Sequence, residues 1–268
     1  MSGGKVHLAI QGAVASVTFD RPQARNAMTW AMYERLGQIC DQLQADASVR
    51  VATFRGAGGE AFVAGTDIEQ FTAFNSGEDG VAYEQQIDQC IQKLEMLPMP
   101  TVAVVEGWAI GGGLAIATAC DFRIATPASR FGVPIARTLG NCLSVANLAR
   151  LSAVFGMPRL KRMLMLAEVL VADEALDCGF LLQVSDTGEI DAALAALCER
   201  LAALAPVTLG VTKEGLRRLV SQNLPADEDL IRRCYGSADF REGVAAFVGK
   251  RKPDWLVNPT PPCQAVGG

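Results

Sequence analysis

The chain has 268 residues, half of them hydrophobic, and its 24 basic and 29 acidic side chains give a net charge of -5. This balance offers no basic surface of the kind that binds nucleic acid or an anionic membrane, so we expect neither as a partner. The eight cysteines are scattered without a CxxC pair and there is a single histidine, which argues against a metal site or a disulfide framework and favours reduced thiols in the cytoplasm.

The first 60 residues alternate strands and a helix. The stretches VHLAIQ and AVASVTF, joined at Gly12, predict two strands, and RVATFRG at 50–56 predicts a third. A helix beginning near Thr29 is indicated by apolar residues at helical spacing: Met32, Leu36, Ile39 and Leu43.

The next segment continues the alternation. A helix marked by Ile87, Ile91 and Leu94 precedes the strand TVAVVEG, which leads into three glycines at 111–113. A helix over 114–120 and a strand FRIAT follow. Strand, glycine turn, helix and strand describe a crossover unit, so we predict an α/β fold with mostly parallel strands.

From Val145 onward the patterns are nearly all helical. EIDAALAALCERLAALAP predicts an amphipathic helix closed by Pro206, and three more helical stretches follow. We therefore predict a core over 1–204, a helical region over 205–256 and a disordered, proline- and glycine-rich tail over 257–268.

Two glycine-bearing segments, AFVAGTDIEQF at 61–71 and GWAIGGGLAI at 107–116, each follow a predicted strand. Glycines between a strand and a helix leave backbone N–H groups uncovered, which favours an oxyanion site, although close helix packing explains them equally well. GxGxxG, the P-loop and GxSxG patterns are absent, which disfavours a dinucleotide-binding enzyme, a nucleotide triphosphatase and a serine hydrolase.

These segments carry a family resemblance. AFVAGTDI and VEGWAIGGG, followed by CDFRIA and FGVP, resemble the enoyl-CoA hydratase/isomerase (crotonase) superfamily, as do RPQARNAM near the start and DFREGVAAFVGKRKP near the end. The resemblance implies a crotonase-like spiral of ββα repeats with a C-terminal helical trimerisation region, and assembly into a homotrimer or hexamer. It also implies an acyl-CoA substrate, with coenzyme A as part of the substrate and no permanently bound cofactor.

The resemblance assigns roles by position. The oxyanion hole falls on the backbone N–H groups of Thr66 and Gly112. The CoA contacts fall on Ala24, Arg25, Ala64, Asp67, Ile68, Phe247 and Lys250. The acyl pocket falls on Leu114, Ala115, Ile135, Ala136, Arg137 and Gly140.

The sequence departs from the family at the acid and base positions. A hydratase of this family carries one glutamate two residues after the glycine triplet and another after the proline of FGxP. Here these positions hold Ala115 and Ile135, or Ala136 if the segment is shifted by one residue. An aspartate position of dienoyl-CoA isomerases and of chlorobenzoyl-CoA dehalogenase holds Ser144. Ordinary hydration, which uses two acids, is therefore not expected.

Other residues are candidates for proton transfer or substrate contact. Cys142 precedes a predicted helix N-terminus, where a thiol pKa can be lowered, although such a cysteine is more often a packing residue. Glu84 and Tyr83 could reach the pocket from the preceding helix, or could lie on its solvated face. Arg137 could pair with a substrate carboxylate, or form a structural ion pair.

These observations predict an acyl-CoA lyase or isomerase that stabilises a thioester enolate by a nonstandard reaction. Isomerisation, decarboxylation and thioester cleavage stay open, because each uses the oxyanion hole without two acids. The alternative is an acyl-CoA-binding pseudoenzyme. RNA binding is a third hypothesis, disfavoured by the acidic to neutral first helix TWAMYERLGQICDQLQAD.

Overall fold

A computed structural model describes residues 3–255 as two β-sheets surrounded by helices. The described strands are β1 Lys5–Gln11, β2 Val14–Asp20, β3 Val51–Gly56, β4 Ala61–Val63, β5 Thr101–Val105, β6 Trp108–Ile110, β7 Phe122–Ala125, β8 Arg130–Gly132, β9 Val169–Val171 and β10 Gln183–Val184. The described α-helices are α1 Trp30–Ala45, α2 Gly77–Glu95, α3 Gly112–Ala119, α4 Ile135–Thr138, α5 Val145–Met165, α6 Ala172–Asp177, α7 Ile190–Ala202, α8 Pro206–Ser221, α9 Glu228–Tyr235 and α10 Ala238–Val248.

The larger sheet has six strands in the order β1-β2-β3-β5-β7-β10. Strands β1 and β2 form an antiparallel hairpin around Gly12, whose φ of +59° is a conformation that glycine adopts without strain. The other neighbours are parallel, with Ala52 opposite Thr101 and Val102 opposite Phe122. Two strands and a helix recur in β3-β4-α2 and β5-β6-α3, so the predicted α/β class and ββα repeat are confirmed.

The smaller sheet has the order β4-β6-β8-β9, with β4, β6 and β8 parallel and β9 antiparallel to β8. Each of its strands has three residues, too few to show an alternating pattern, and the sequence analysis predicted none of them. The two glycine-bearing loops therefore follow β4 and β6, rather than β3 and β5. They still lie side by side, because β4 and β6 are neighbours.

The helices that flank the cavity begin at identifiable caps. The side chain of Thr29 accepts a hydrogen bond from the N–H of Met32 and caps α1 where the sequence predicts its start. Ser76 and Asp79 form a reciprocal capping box at the start of α2. Helix α3 begins at Gly112, two residues before its predicted start.

The core lies on both faces of the larger sheet. Its main part fills the space between the two sheets and α1, α2, α3 and α5. Along β5, Ala103 and Val105 face this main core, while Val102 and Val104 face a smaller cluster that includes residues of α7. This alternation explains why β5 is buried at every position of its length and apolar from Val102 to Val105.

The C-terminal region is mainly helical, as predicted, with the short strands β9 and β10 added. Helix α8 buries none of its side chains, and Val207, Val211 and Leu219 are each at least 68% exposed. The predicted tail over 257–268 lies outside the described residues. Within residues 3–255 no single helix is long and apolar enough to cross a membrane; α7 and α8 together reach that length and composition but are bent by 102° at their junction.

Candidate active site

A cavity of about 770 Å³ lies beside the loops that follow β4 and β6. Its walls are formed by residues within 21–27 and 64–71, by 110–112 at the start of α3, by one face of α2, and by α4 with the segment that leads into α5. Its volume falls in the range of sites that bind organic ligands of considerable size.

Two backbone donors on this cavity have no hydrogen-bond partner among residues 3–255. Neither the N–H of Thr66 nor the N–H of Gly112 makes a hydrogen bond within the described part of the chain. A Cβ added to Gly112 would lie 3.4 Å from Thr66 Oγ1, so the two loops are in close contact. Two adjacent N–H donors, one of them at a helix N-terminus, are the arrangement that stabilises an oxyanion.

Each of the three consecutive glycines is required for a different structural reason. Gly111 has a φ of +55° as the chain turns into α3. A Cβ at Gly112 would clash with the hydroxyl of Tyr33, and a Cβ at Gly113 would clash with the backbone carbonyl of Val63. Close packing, one of the two explanations that the sequence left open, therefore accounts for Gly112 and Gly113, and it leaves the N–H of Gly112 at the start of α3 without a side chain over it.

A chain of three buried hydroxyl groups lies next to the donors. The Thr66 hydroxyl is 2.9 Å from the hydroxyl of Tyr33 and 2.9 Å from that of Tyr83. Burial raises the pKa of both tyrosines above the usual value. Both therefore stay protonated at neutral pH.

Glu84 is a buried acid in the wall of the cavity, with 2% of its surface exposed. Its Oε1 accepts a hydrogen bond from the Tyr235 hydroxyl at 2.6 Å, and its Oε2 accepts one from the N–H of Ser144 at 3.1 Å. Burial raises the pKa of Glu84 to about 8, against the lowering effect of these two hydrogen bonds. Its carboxyl group can therefore exchange a proton near neutral pH.

The hydrogen bonds continue from Glu84 to a neighbouring amide. Asn141, which also lines the cavity, donates from Nδ2 to the Tyr235 hydroxyl at 3.3 Å. The Oδ1 of Asn141 is buried without a hydrogen-bond partner in the described chain. Glu84, Tyr235 and Asn141 thus form one connected polar cluster at the cavity.

Most of the residues that the resemblance assigns to CoA lie together. Ala24, Arg25, Ala64, Asp67, Ile68 and Phe247 line the cavity. Phe247 lies on α10, and the two segments that carry the other five are joined by a hydrogen bond from the Ala64 N–H to the Arg25 carbonyl at 3.0 Å and by an ion pair of 2.8 Å between Arg21 and Asp67. Lys250 is not brought to the cavity, because it is exposed beyond the end of α10.

Only part of the acyl pocket assigned by the resemblance is assembled. Ala115 and Ile135 line the cavity. The two positions where a hydratase of the family carries its acids are therefore occupied here by apolar side chains of the cavity wall. The other four are not brought to it. Leu114 points into the core, Ala136 and Arg137 are exposed on α4, and Gly140 packs against the backbone of Asp239.

Two further candidate residues lie behind the wall rather than in it. Cys142 is not among the lining residues, and its pKa is raised rather than lowered, because it donates a hydrogen bond to Cys234 and is largely buried. Ser144 is buried as the cap of α5, where its hydroxyl accepts a hydrogen bond from the Asn147 N–H at 3.2 Å. Its backbone N–H, not its hydroxyl, contacts Glu84.

The sequence analysis did not single out Tyr33, Asn147 or Tyr235. Tyr33 lies on the apolar face of α1 and looks like an ordinary core residue in the sequence. Tyr235 lies on α9, which is 151 residues from Glu84 in the chain, and no local pattern links the two. Among residues 3–255 there is no group of three or more histidine, cysteine, aspartate or glutamate side chains placed to hold a metal ion.

Comparisons with known proteins all point to one family. The sequence model of the enoyl-CoA hydratase/isomerase family matches residues 9–258. The chain is 30% identical to the short-chain-enoyl-CoA hydratase of Clostridium acetobutylicum, over 96% of this chain and 100% of that protein. It is 32% identical to a probable enoyl-CoA hydratase of Bacillus subtilis, over 93% of this chain and 98% of that protein.

Solved structures show the same similarity. Methylmalonyl-CoA decarboxylase in complex with 2-nitronate-propionyl-CoA has a TM-score of 0.86 and 26% identity, over 95% of this chain and 99% of that one. An enoyl-CoA hydratase/carnithine racemase from Magnetospirillum magneticum has a TM-score of 0.77 and 32% identity, over 95% of both chains.

Proposed function

Because this chain belongs to the enoyl-CoA hydratase/isomerase family, we propose that it acts on acyl-CoA thioesters and stabilises a thioester enolate between the N–H groups of Thr66 and Gly112. One observation carries the proposal: these two N–H groups belong to residues of the cavity wall and have no partner within the described chain. Each donor of this kind contributes roughly 3 kcal/mol of transition-state stabilisation.

The CoA part of the substrate is proposed to lie along the two loops that carry Arg25 and Asp67. These loops line the same cavity as the oxyanion donors and are joined by main-chain and ionic contacts. The exposed aromatic ring of Phe247 supplies a further surface at this wall. Coenzyme A is thus part of the substrate, and no permanently bound cofactor is proposed.

The proposed reaction is not ordinary hydration. Adding water across an enoyl double bond uses one group to activate the water and another to protonate carbon. The two family positions for these groups, Ala115 and Ile135, present only apolar side chains to the cavity. Reactions that need an enolate and a single proton-transfer group, such as isomerisation, fit the wall better.

Decarboxylation is the second candidate reaction. Loss of carbon dioxide from an acyl-CoA with a carboxylate on carbon two gives the enolate directly and needs no initial base. The likeness to methylmalonyl-CoA decarboxylase supports this candidate. A pseudoenzyme without turnover is less well supported, because the titratable side chains of Tyr83 and Glu84 line the cavity.

Self-association, as a trimer or a pair of trimers, is proposed to involve α8. This helix buries no side chain within the single chain, yet Val207, Val211, Leu216 and Leu219 are each at least 60% exposed. Several large apolar side chains exposed on one helix are typical of a subunit interface.

The test is to measure acyl-CoA binding and crotonyl-CoA hydration on the same protein. We expect calorimetry to detect binding of crotonyl-CoA or butyryl-CoA, and the enoyl-thioester absorbance to persist. The variant with Ala115→Glu and Ile135→Glu restores both acids and serves as the comparison. Hydration by the unaltered chain at about 1 per second or faster would contradict the proposed reaction class, and absence of acyl-CoA binding would contradict the proposal as a whole.

A further inference from the structure

Three acidic residues of the described chain line the cavity, and they differ in surroundings. Asp67 is paired with Arg21 at 2.8 Å on the side proposed for CoA, and Glu69 is exposed. Glu84 is the buried one. Its neighbour Tyr83 lies 2.9 Å from Thr66 through their hydroxyls, so this turn of α2 is adjacent to the proposed oxyanion site.

The carboxyl group of Glu84 has capacity left for a substrate. A carboxylate offers about four acceptor positions, and two of them are used by Tyr235 and the Ser144 N–H. No basic side chain pairs with Glu84 among the described residues. A carboxyl group held by neutral donors in an apolar wall is able to take up a proton and release it again.

On the basis of the proposed function, we propose that Glu84 is the catalytic residue that moves a proton between two carbons of the acyl chain. It acts from α2, and neither of the family acid positions at Ala115 and Ile135 is used. Tyr235 and Ser144 are positioning residues that fix the carboxyl group through their hydrogen bonds.

The step balances with Glu84 alone. For an acyl-CoA with a double bond between carbons three and four, the Glu84 carboxylate removes a proton from carbon two. The C–H electron pair moves into the thioester, and the resulting dienolate oxygen accepts hydrogen bonds from the N–H groups of Thr66 and Gly112. Glu84 then returns its proton to carbon four, and the double bond ends between carbons two and three. No water, metal or electron carrier is consumed.

The groups around Glu84 set the pH at which it is active. Its pKa is raised to about 8, mainly by burial; Tyr235 and Ser144 oppose the rise, and Asp88 and Asp227 add to it. The other titratable groups whose charge interacts with it are Tyr33, Tyr83, Cys142 and Cys234. Because proton removal requires the carboxylate, we expect kcat/KM to rise with pH until Glu84 is ionised.

The experiment follows conversion of 3-butenoyl-CoA to crotonyl-CoA in D2O, with deuterium incorporation read by mass spectrometry. Glu84→Gln keeps the size of the side chain, can accept from the Ser144 N–H and can donate to Tyr235. We expect it to lower conversion and exchange by about 100-fold or more while acyl-CoA binding is retained. Glu95→Gln is the matched control, because Glu95 lies on the same helix, pairs with Arg150 and does not line the cavity.

Each outcome decides between the two proposals. Equal conversion by Glu84→Gln and the unaltered chain would overturn the role of Glu84 and leave the acyl-CoA enzyme proposal standing. Absence of conversion by the unaltered chain would also overturn the role of Glu84, and calorimetric binding of 3-butenoyl-CoA would then show whether acyl-CoA recognition survives. If Glu84→Gln fails to fold, Tyr235→Phe must shift the pH profile of conversion to higher pH, and an unshifted profile would overturn the proposal.

Discussion

The hydroxyl oxygens of Thr66 and Tyr83 lie 2.9 Å apart, and this contact ties the proposed oxyanion loop to the helix that carries Glu84. Thr66 also contacts the Tyr33 hydroxyl, so one threonine side chain joins α1, α2 and the loop after β4. All three residues are buried, and the Thr66 hydroxyl is the shared hydrogen-bond partner of both tyrosines.

Replacing Thr66 with valine is expected to destabilise the fold by about 1 to 3 kcal/mol, because it leaves two buried tyrosine hydroxyls without their partner. The backbone N–H of residue 66 is retained. Denaturant unfolding measures the change, and Thr66→Ser, which keeps the hydroxyl, is the control. Equal stability of the valine variant and the unaltered chain would show that the hydroxyl chain contributes nothing to folding.

The contribution of the Gly112 N–H can be isolated with a pair of double variants. Tyr33→Phe removes the hydroxyl that a Cβ at position 112 would meet. In that background, Gly112→Ala keeps the N–H and Gly112→Pro removes it at the first position of α3, where proline is compatible with a helix. We expect kcat of the proline variant to be roughly 100 to 1,000 times lower than that of the alanine variant. A ratio near one would rule out this N–H as an oxyanion donor.

The raised pKa of Glu84 leads to a prediction of how the free energy of unfolding depends on pH. Its pKa in the folded protein is about 8, against 4.5 for an ordinary glutamate, so the folded state binds the proton more tightly. Its contribution to stability is complete below about pH 4.5 and is lost as the pH rises through about 8. The free energy of unfolding should fall across this window more steeply for the unaltered chain than for Glu84→Gln, by up to about 1.4 kcal/mol per pH unit. Parallel curves for the two proteins would contradict the raised pKa.

Tyr235→Phe should move the activity profile rather than abolish activity. The Tyr235 hydroxyl lowers the pKa of Glu84 by donating a hydrogen bond of 2.6 Å to it. Without this bond the carboxylate forms at higher pH. The pH at which kcat/KM rises should therefore be higher, while KM stays nearly constant. A uniform loss of activity at every pH would instead indicate that Tyr235 serves only the structure.

Self-association through α8 is tested by placing a charge on its exposed apolar side. Val211 is 68% exposed in the single chain, and Val211→Asp should reduce the molar mass measured by light scattering. Ile10→Asp is the control, because it introduces the same charge at an exposed apolar residue of the edge strand β1. An unchanged mass for Val211→Asp would place the interface elsewhere.

The sequence predicted five of the six strands of the larger sheet and the longer helices, because their patterns are long enough to be seen; it missed the two-residue strand β10. Strand β5 is a continuous run of mostly β-branched residues. Helix α1 has apolar residues at helical spacing over several turns. The short strands β4, β6, β8 and β9 have no such pattern, and their pairing depends on contacts between distant parts of the chain.

The sequence indicated the part of the candidate site that consists of backbone N–H groups in the two glycine-bearing loops. It did not indicate the part that consists of side chains brought together from helices distant in the sequence. The family resemblance assigns the oxyanion donors to Thr66 and Gly112, and the structure accounts for the glycines beside them by backbone conformation at Gly111 and close packing at Gly112 and Gly113. Glu84 was proposed with a solvated alternative, and the structure buries it. Glu84 and its hydrogen-bond partner Tyr235 are 151 residues apart in the sequence. The burial that raises the pKa of Glu84 exists only in the folded chain.

The close packing at Gly113 has an evolutionary consequence. A side chain there would meet the backbone of Val63, which has no rotamer by which to move aside, whereas a side chain at Ala115 or Ile135 would extend into the cavity. Point mutations can therefore vary the side chains of the cavity wall while the backbone that carries the two proposed donors is inherited unchanged. If the proposed oxyanion site is correct, a lineage built on this scaffold is expected to diversify in the reaction it performs sooner than in the enolate it stabilises.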